Sequence, residues 1–253
     1  MHRQGRVVLV TGAGSGMGRA MINEFSALGD CVVAVDLDEA AARATVEALD
    51  KDPTEAVALR ADVSSVTDIK ALGSSVLDRF GRIDVLCNNA GVLDGYLPVH
   101  ETDDALWDRT VDVNLKGAFL VSRQFIPTML AQGKGAIVNT ASIASHVAGG
   151  GGAAYTASKH GLLGLTRQMA FDYGRLGIRV NAICPGAILT GLTSHLVTPE
   201  GRNEHVDAAI AGTPAGRWGR PEEIARLVVF LASEDADFIH GAAYMIDGGW
   251  TLP

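Results

Sequence analysis

The chain is short of cysteine, and the three it has, Cys31, Cys87 and Cys184, lie far apart with no CxxC pair. An odd, scattered set argues against a disulfide framework or a zinc site and fits buried thiols in a reducing compartment. Basic residues are outnumbered: 21 Lys and Arg stand against 29 Asp and Glu, a formal net charge of −8. That balance disfavours nucleic acid and anionic membrane surfaces, both of which reward a basic patch. It says nothing against a nucleotide, whose phosphates can sit on backbone amides. Long apolar runs are missing as well. The opening MHRQGRVVLV reaches Gly12 soon after its first apolar residues, too short a run for a signal peptide or a membrane span, so a cytoplasmic protein is expected. No polar low-complexity tract or linker breaks the 253 residues, of which 47% are hydrophobic and 20% charged. One folded unit over 1–253 is expected.

What is present is an alternation. Short apolar runs rich in Val and Ile occur at 7–11, 31–36, 56–61, 84–88, 135–140, 178–184 and 242–247. Apolar on successive residues, they read as strands covered on both faces. Between them lie helical patterns at roughly 16–28, 38–50, 66–80, 102–132, 152–175 and 221–233. Strand and helix in alternation imply an α/β fold, a doubly wound, Rossmann-like sheet of seven parallel strands with helices on both faces. The rhythm breaks at 187–219, a mixed stretch holding Pro199, Pro214 and several glycines. It follows the C-terminal end of a strand, where open α/β sheets bind ligands, and reads as a substrate loop.

The first strand runs into TGAGSGMG, residues 11–18, and then into a helix. Such a turn uses glycine for positive φ and for close backbone approach to a pyrophosphate. The GxGxxG fingerprint does not fit, because counting from Gly12 its last glycine falls on Met17; the spacing that fits is TGxxxGxG, with Gly12, Gly16 and Gly18 around Ser15. Asp36 closes the second strand, roughly 20 residues on. A carboxylate there accepts from both adenosine ribose hydroxyls and repels a 2′-phosphate, and Leu37 offers no cation to hold one. NAD is therefore expected over NADP. The plainer reading of Asp36 or Asp38 is an N-cap for the next helix.

YTASK, residues 155–159, opens another helical stretch. Tyr155 and Lys159 share a helix face four residues apart. An ammonium about 4 Å from the phenol, at an effective dielectric near 20, contributes roughly 4 kcal/mol. The expectation is a phenol made two to three units more acidic and able to act as acid and base at neutral pH. Ser142 follows the strand GAIVNT and precedes Tyr155 by 13 residues. Its hydroxyl can donate to a substrate oxygen; otherwise it is a loop or cap serine. Asn114 is polar within an apolar stretch, so it needs partners: a water leading from Lys159 to solvent, or simply backbone.

With these residues assembled, the chain resembles a short-chain dehydrogenase/reductase over essentially its full length. TGAGSGMG is similar to that family's cofactor loop, Asp62–Val63 to its adenine-holding pair, and NNAG at 88–91, with Asn89, Ala90 and Gly91, to its signature after the fourth strand. Asn114, Ser142, Tyr155 and Lys159 match the catalytic tetrad in order. PGAILT at 185–190 matches the nicotinamide-gripping segment, which brings in Pro185, Gly186, Ile188 and Thr190. The resemblance implies hydride transfer at nicotinamide, proton transfer by Tyr155, a substrate oxygen steadied by Ser142, a ribose held by Lys159, a relay water placed by Asn114, and a homotetramer. GGGG at 149–152 departs from the family pattern; it reads either as an opened substrate site or as a loose surface loop.

The substrate side is expected to comprise Ile143, His146, Leu93, Tyr96, Ala187, Leu192, His195 and Leu196, with Trp250 if the C-terminus folds over the site. No Arg or Lys is placed there to bind a carboxylate or phosphate, so a small neutral alcohol or ketone is expected, with His146 and His195 at a second hydroxyl or at the rim. A 3-oxoacyl carrier-protein reductase shares these motifs and is the alternative enzyme; such reductases usually use NADPH and need a basic surface for their carrier. A non-catalytic nucleotide-binding protein on the same fold is the alternative outside enzymes.

Overall fold

The structure is a computed structural model that describes residues 5–49, 55–194 and 204–252. Seven strands form one parallel sheet: β1 (Val7–Thr11), β2 (Cys31–Asp36), β3 (Ala56–Arg60), β4 (Val85–Asn88), β5 (Gly135–Thr140), β6 (Ile178–Pro185) and β7 (Ala243–Ile246). Their spatial order is β3-β2-β1-β4-β5-β6-β7. The chain thus turns back at β1, and β4 is laid on β1's other side, with Val8 opposite Val85 and Leu9 opposite Leu86. A crevice opens at the C-terminal ends of β1 and β4, the switch point where such sheets take ligands.

The alternation of side chains across the pleat builds two cores from the same strands. Val7, Leu9, Val33 and Val35 face one core, with Ile69 and Leu72 of α3 (Val66–Phe80) and Phe125 of α5 (Ala118–Gln132). Val8, Val10, Val32 and Ala34 face the other, with Ile22 and Phe25 of α1 (Gly16–Ala27) and Ile224 and Val228 of α8 (Pro221–Leu231). The central strands are buried on both faces as expected, whereas the edge strands β3 and β7 are partly open.

Helix starts follow their caps. Asp38 accepts from the Ala41 amide at the start of α2 (Glu39–Glu47), and Ser65 from the Asp68 amide at the start of α3. α1 differs: it has neither a side-chain cap at Ser15 nor an acidic residue in its first turn, so its amides and dipole face the crevice.

Two expectations are corrected. The helix expected over 102–132 begins at Asp104 as α4 (Asp104–Val111), widens into a π-helical turn at Asp112–Gly117, and resumes as α5. Hydrophobic periodicity does not register one inserted residue, and the insertion re-aims Asn114 into the protein, where it is buried. The stretch 187–219, read as a mixed substrate loop, contains a helix, α7 (Glu204–Gly212), whose flanking Pro and Gly hid it. Residues 195–203 of that stretch lie outside the described residues. The helical pattern at 152–175 is α6 (Ala153–Tyr173).

Candidate active site

The glycine turn is built as the TGxxxGxG spacing requires. Gly12 and Gly16 have φ of +67° and +51°, values that L side chains rarely adopt. A Cβ on Gly18 would collide with the Gly12 carbonyl oxygen, so that glycine lets α1 close onto the turn. Thr11 Oγ1 accepts from the Asn89 and Ala90 amides at 3.0 and 3.1 Å, which ties NNAG to the turn. Asn88, by contrast, is buried and donates to Ser122 and Asn139; its role is in the sheet. Asp36 accepts from the Gly14 amide at 2.8 Å through Oδ2 and from the Asp38 amide at 3.0 Å through Oδ1. It therefore shapes the turn, while Asp38 is the helix cap. Leu37 beside it is 59% exposed.

An open groove runs from this turn. It is lined by Gly12, Ser15, Gly16 and Met17 of the turn, by Asp36, Leu37, Asp62 and Val63 at or just after the ends of β2 and β3, and by Asn89, Ala90, Gly91 and Thr190. These residues fit a dinucleotide: uncapped amides at α1 for phosphates, a carboxylate at the end of β2 for a ribose, and glycines where a Cβ would fill the cradle.

A more enclosed cavity adjoins the groove and shares Met17, Asn89, Gly91, Thr190 and Leu192 with it. Ser142, Tyr155 and Lys159 line this cavity. Ser142 caps the 3-10 turn Ile143–Ser145, accepting from the Ala144 amide at 3.1 Å. Lys159, 3% exposed, donates to the Thr140 carbonyl at 2.7 Å.

The acidified phenol is not what the bare site holds. Burial pushes the Tyr155 phenol up to about 12; the Ser142 side chain draws it back, and Tyr96 and Asp94 oppose ionisation further. Burial also brings Lys159 down to about 8. Removing both groups from water penalises each charged form. The ammonium, 5.5 Å from the Tyr155 ring centroid, is spent on the Thr140 carbonyl and the ring face.

Asn114 ties backbone together. Its Nδ2 donates to the Val92 carbonyl at 3.0 Å and to Ser158 Oγ at 3.2 Å, while Oδ1 accepts from the Val92 amide at 2.8 Å. The space a Gly91 side chain would enter is bounded by Asn114 Oδ1 and Lys159 Nζ, 3.2 and 3.5 Å from such a Cβ.

Of the residues expected on the substrate side, Leu93, Tyr96, Ile143, Ala187, Leu192 and Trp250 line the cavity, beside Pro185, Gly186 and Ile188. His146 does not. The turn after Ser142 carries it to the exposed side, its Nε2 3.7 Å from Cys184 Sγ. His195 and Leu196 lie outside the described residues. The glycine run is neither simply open nor loose. Gly149 and Gly150 line the cavity, but a Cβ on Gly151 would strike Tyr155 Cδ1, and one on Gly152 would lie 2.6 Å from Asp94 Oδ2. Trp218, Val206 and Asp94 were missed from sequence. The two apolar residues both lie in the stretch read as a substrate loop, where no single residue stood out, and Asp94 reads as an ordinary turn residue.

A doubly wound sheet with an open glycine turn beside a Ser–Tyr–Lys cluster defines a nucleotide-dependent oxidoreductase. A family model described as "Enoyl-(Acyl carrier protein) reductase" matches residues 12–251. The chain is 38% identical to 3beta-hydroxysteroid dehydrogenase 2 of Eggerthella lenta, covering 98% of this chain and 95% of that one. It is 37% identical to the 3-oxoacyl-acyl-carrier-protein reductase FabG of Thermotoga maritima, covering all of both. A crystal structure of levodione reductase superposes with a TM-score of 0.90 at 39% identity, covering 98% of each chain. The chain belongs to the short-chain dehydrogenase/reductase family, whose members use nicotinamide cofactors. Among the described residues no helix is long and apolar enough to cross a membrane.

Proposed function

We propose that this chain is an NAD-dependent oxidoreductase that moves a hydride between nicotinamide and a neutral, ring-sized secondary alcohol or ketone, with Tyr155 as the acid and base. The carrying observation is the shared wall: the Ser142–Tyr155–Lys159 cluster opens onto a cavity that continues into the glycine-turn groove. One unit over 1–253 then serves as both cofactor and catalytic domain, with 187–219 as its substrate loop. By family likeness we extend the proposal to a cytoplasmic homotetramer.

Bound nicotinamide supplies the hydride donor or acceptor and, when oxidised, a positive charge beside the phenol. The residues do the rest. The turn at Gly12–Gly18 and the open end of α1 take the phosphates, and Asp36 takes the adenosine ribose hydroxyls at about 1.5–3 kcal/mol per charged hydrogen bond. Leu37 offers no cation to a 2′-phosphate. Asp62 and Val63 border the adenine, and Pro185, Gly186, Ile188 and Thr190 the nicotinamide. Lys159 keeps donors beyond the one given to Thr140 for the second ribose.

With its proton held up to about 12, the phenol rests as the acid, ready to donate to a carbonyl oxygen. Ser142 donates to that same oxygen and fixes its place. Acting as base in the oxidising direction requires the phenol to fall by several units, and added positive charge in the site drives it that way. By family likeness, Asn114 would place a water through which Lys159 exchanges protons with solvent.

The cavity supports the substrate class: Leu93, Tyr96, Ile143, Val206, Trp218 and Trp250 are apolar or aromatic. The rival is a 3-oxoacyl carrier-protein reductase, favoured by the 37% identity to FabG and opposed by Asp36 with Leu37. Fluorescence titration with NAD and NADP, followed by a panel of cyclic secondary alcohols read at the reduced-nicotinamide absorbance, separates the two. Preference for NADP with reduction of a 3-oxoacyl thioester selects the rival. Turnover retained in Tyr155→Phe rejects the assigned acid and base.

A further inference from the structure

One buried carboxylate joins two walls of the cavity. Asp94, 1% exposed, accepts through Oδ1 from the Gly152 amide at 2.9 Å and the Tyr96 amide at 3.2 Å, and through Oδ2 from the Tyr155 amide at 2.8 Å. Next to it, the Leu97 carbonyl accepts from the Ala153 amide at 3.0 Å. A helix leaves its first N–H groups without intrahelical acceptors. In α6, those of Gly152, Ala153 and Tyr155 are all taken by the loop at 94–97.

The N-cap position of α6 is Gly152, which has no side chain to give. A Cβ there would lie 2.6 Å from Asp94 Oδ2 and from both the amide nitrogen and carbonyl oxygen of Leu97. The glycine thus admits a cap from 58 residues earlier in the chain. The same carboxylate holds Tyr96, the single non-glycine residue with positive φ, +62°, among the described residues. Tyr96 presents its side chain to the cavity.

We infer that Asp94 is a positioning residue for the proton transfer assigned to Tyr155, fixing the first turn of α6, and so the phenol, against the Tyr96 wall of the substrate cavity. The inference rests on the reading of Tyr155 given above. Tyr155 is held by its own amide, so slack in this cap passes directly to the reacting oxygen. Asp94 also lends its negative charge to the phenol's surroundings, as Tyr96 lends its own when ionised, and both oppose ionisation.

The test uses the full chain with cyclohexanol and oxidised NAD as probes. Asp94→Asn keeps the size while removing the charge and one acceptor. Its kcat is expected to fall about tenfold to a hundredfold, as small misplacements of a reacting group do, with nucleotide Kd unchanged. Loss of the charge makes the phenol easier to ionise, so the ascending limb of kcat against pH moves to lower pH. Gly152→Ala pushes on Asp94 and Leu97 without altering charge; it lowers kcat and leaves the limb in place. Amide exchange needs no substrate: at 152–156 it quickens about tenfold or more in Asp94→Asn while the strands keep their protection.

Unchanged kcat, limb and exchange in both variants overturn the inference. So does a parallel loss of nucleotide binding and of protection throughout the sheet, which makes Asp94 a support of the whole fold. Tyr155→Phe measured alongside separates the two readings. If it keeps turnover, the assignment of Tyr155 fails; if it is inactive while the Asp94 and Gly152 variants behave as wild type, the inference about Asp94 alone fails.

Discussion

The Lys159 ammonium lies 5.5 Å from the centroid of the Tyr155 ring and donates to the Thr140 carbonyl at 2.7 Å. Its charge is thus partly committed to backbone, and burial, more than pairing, governs the protonation of both side chains.

A stability trade-off follows. Burial depresses Lys159 to about 8 from an ordinary value of 10.5, so the folded chain gives up that proton before the unfolded chain does. Its contribution is present in full above 10.5 and lost as pH falls through 8. The charge held at pH 7 costs roughly 3 kcal/mol at about 1.36 kcal/mol per unit. Lys159→Met is therefore expected to melt several degrees higher than wild type at pH 7 without nucleotide. The gap should close between pH 8 and 10.5 in thermal melts. Tyr155 runs the other way, its contribution being lost as pH rises from 10 towards 12. A Lys159→Met variant less stable at every pH contradicts this account.

Gly151 is placed to make room for the reacting ring. Gly151→Ala sets a methyl group against Tyr155 Cδ1. The expected result is a kcat about tenfold to a hundredfold lower with NAD affinity intact, read by steady-state kinetics and fluorescence titration. Wild-type kcat would show that the ring moves aside freely.

Asp36 serves the turn and the proposed ribose site together. Asp36→Ala is expected to weaken NAD binding by about one to two powers of ten, the worth of one charged hydrogen bond. It should also erode discrimination against NADP, and Leu37→Arg added to it should favour NADP. Full discrimination retained in Asp36→Ala would place the ribose elsewhere.

The aromatic walls set the size of what binds. Trp218→Ala and Trp250→Ala each remove a large lining side chain. KM for a cyclic alcohol should rise about tenfold while kcat/KM for propan-2-ol changes little. Equal effects on both substrates would make these residues structural.

The alternation of strands and helices outside 187–219, the glycine turn, Asp36 and the Ser142, Tyr155 and Lys159 cluster were legible in the sequence. Each rests on local chemistry: runs of Val and Ile, a positive-φ turn, two side chains one helical turn apart. Three things were decided by the tertiary structure. The π-helical turn at Asp112–Gly117 changes the phase of a helix without changing its composition, so the burial of Asn114 against Val92 has no periodic signature. The protonation of Tyr155 and Lys159 follows from how much water the fold removes around them, which a four-residue spacing does not report. The capping of α6 by Asp94 joins residues 58 positions apart, and the glycines at 151 and 152 make sense only once Tyr155 and Asp94 are packed against them. Local pattern chose the parts; long-range packing and desolvation set their geometry and charge.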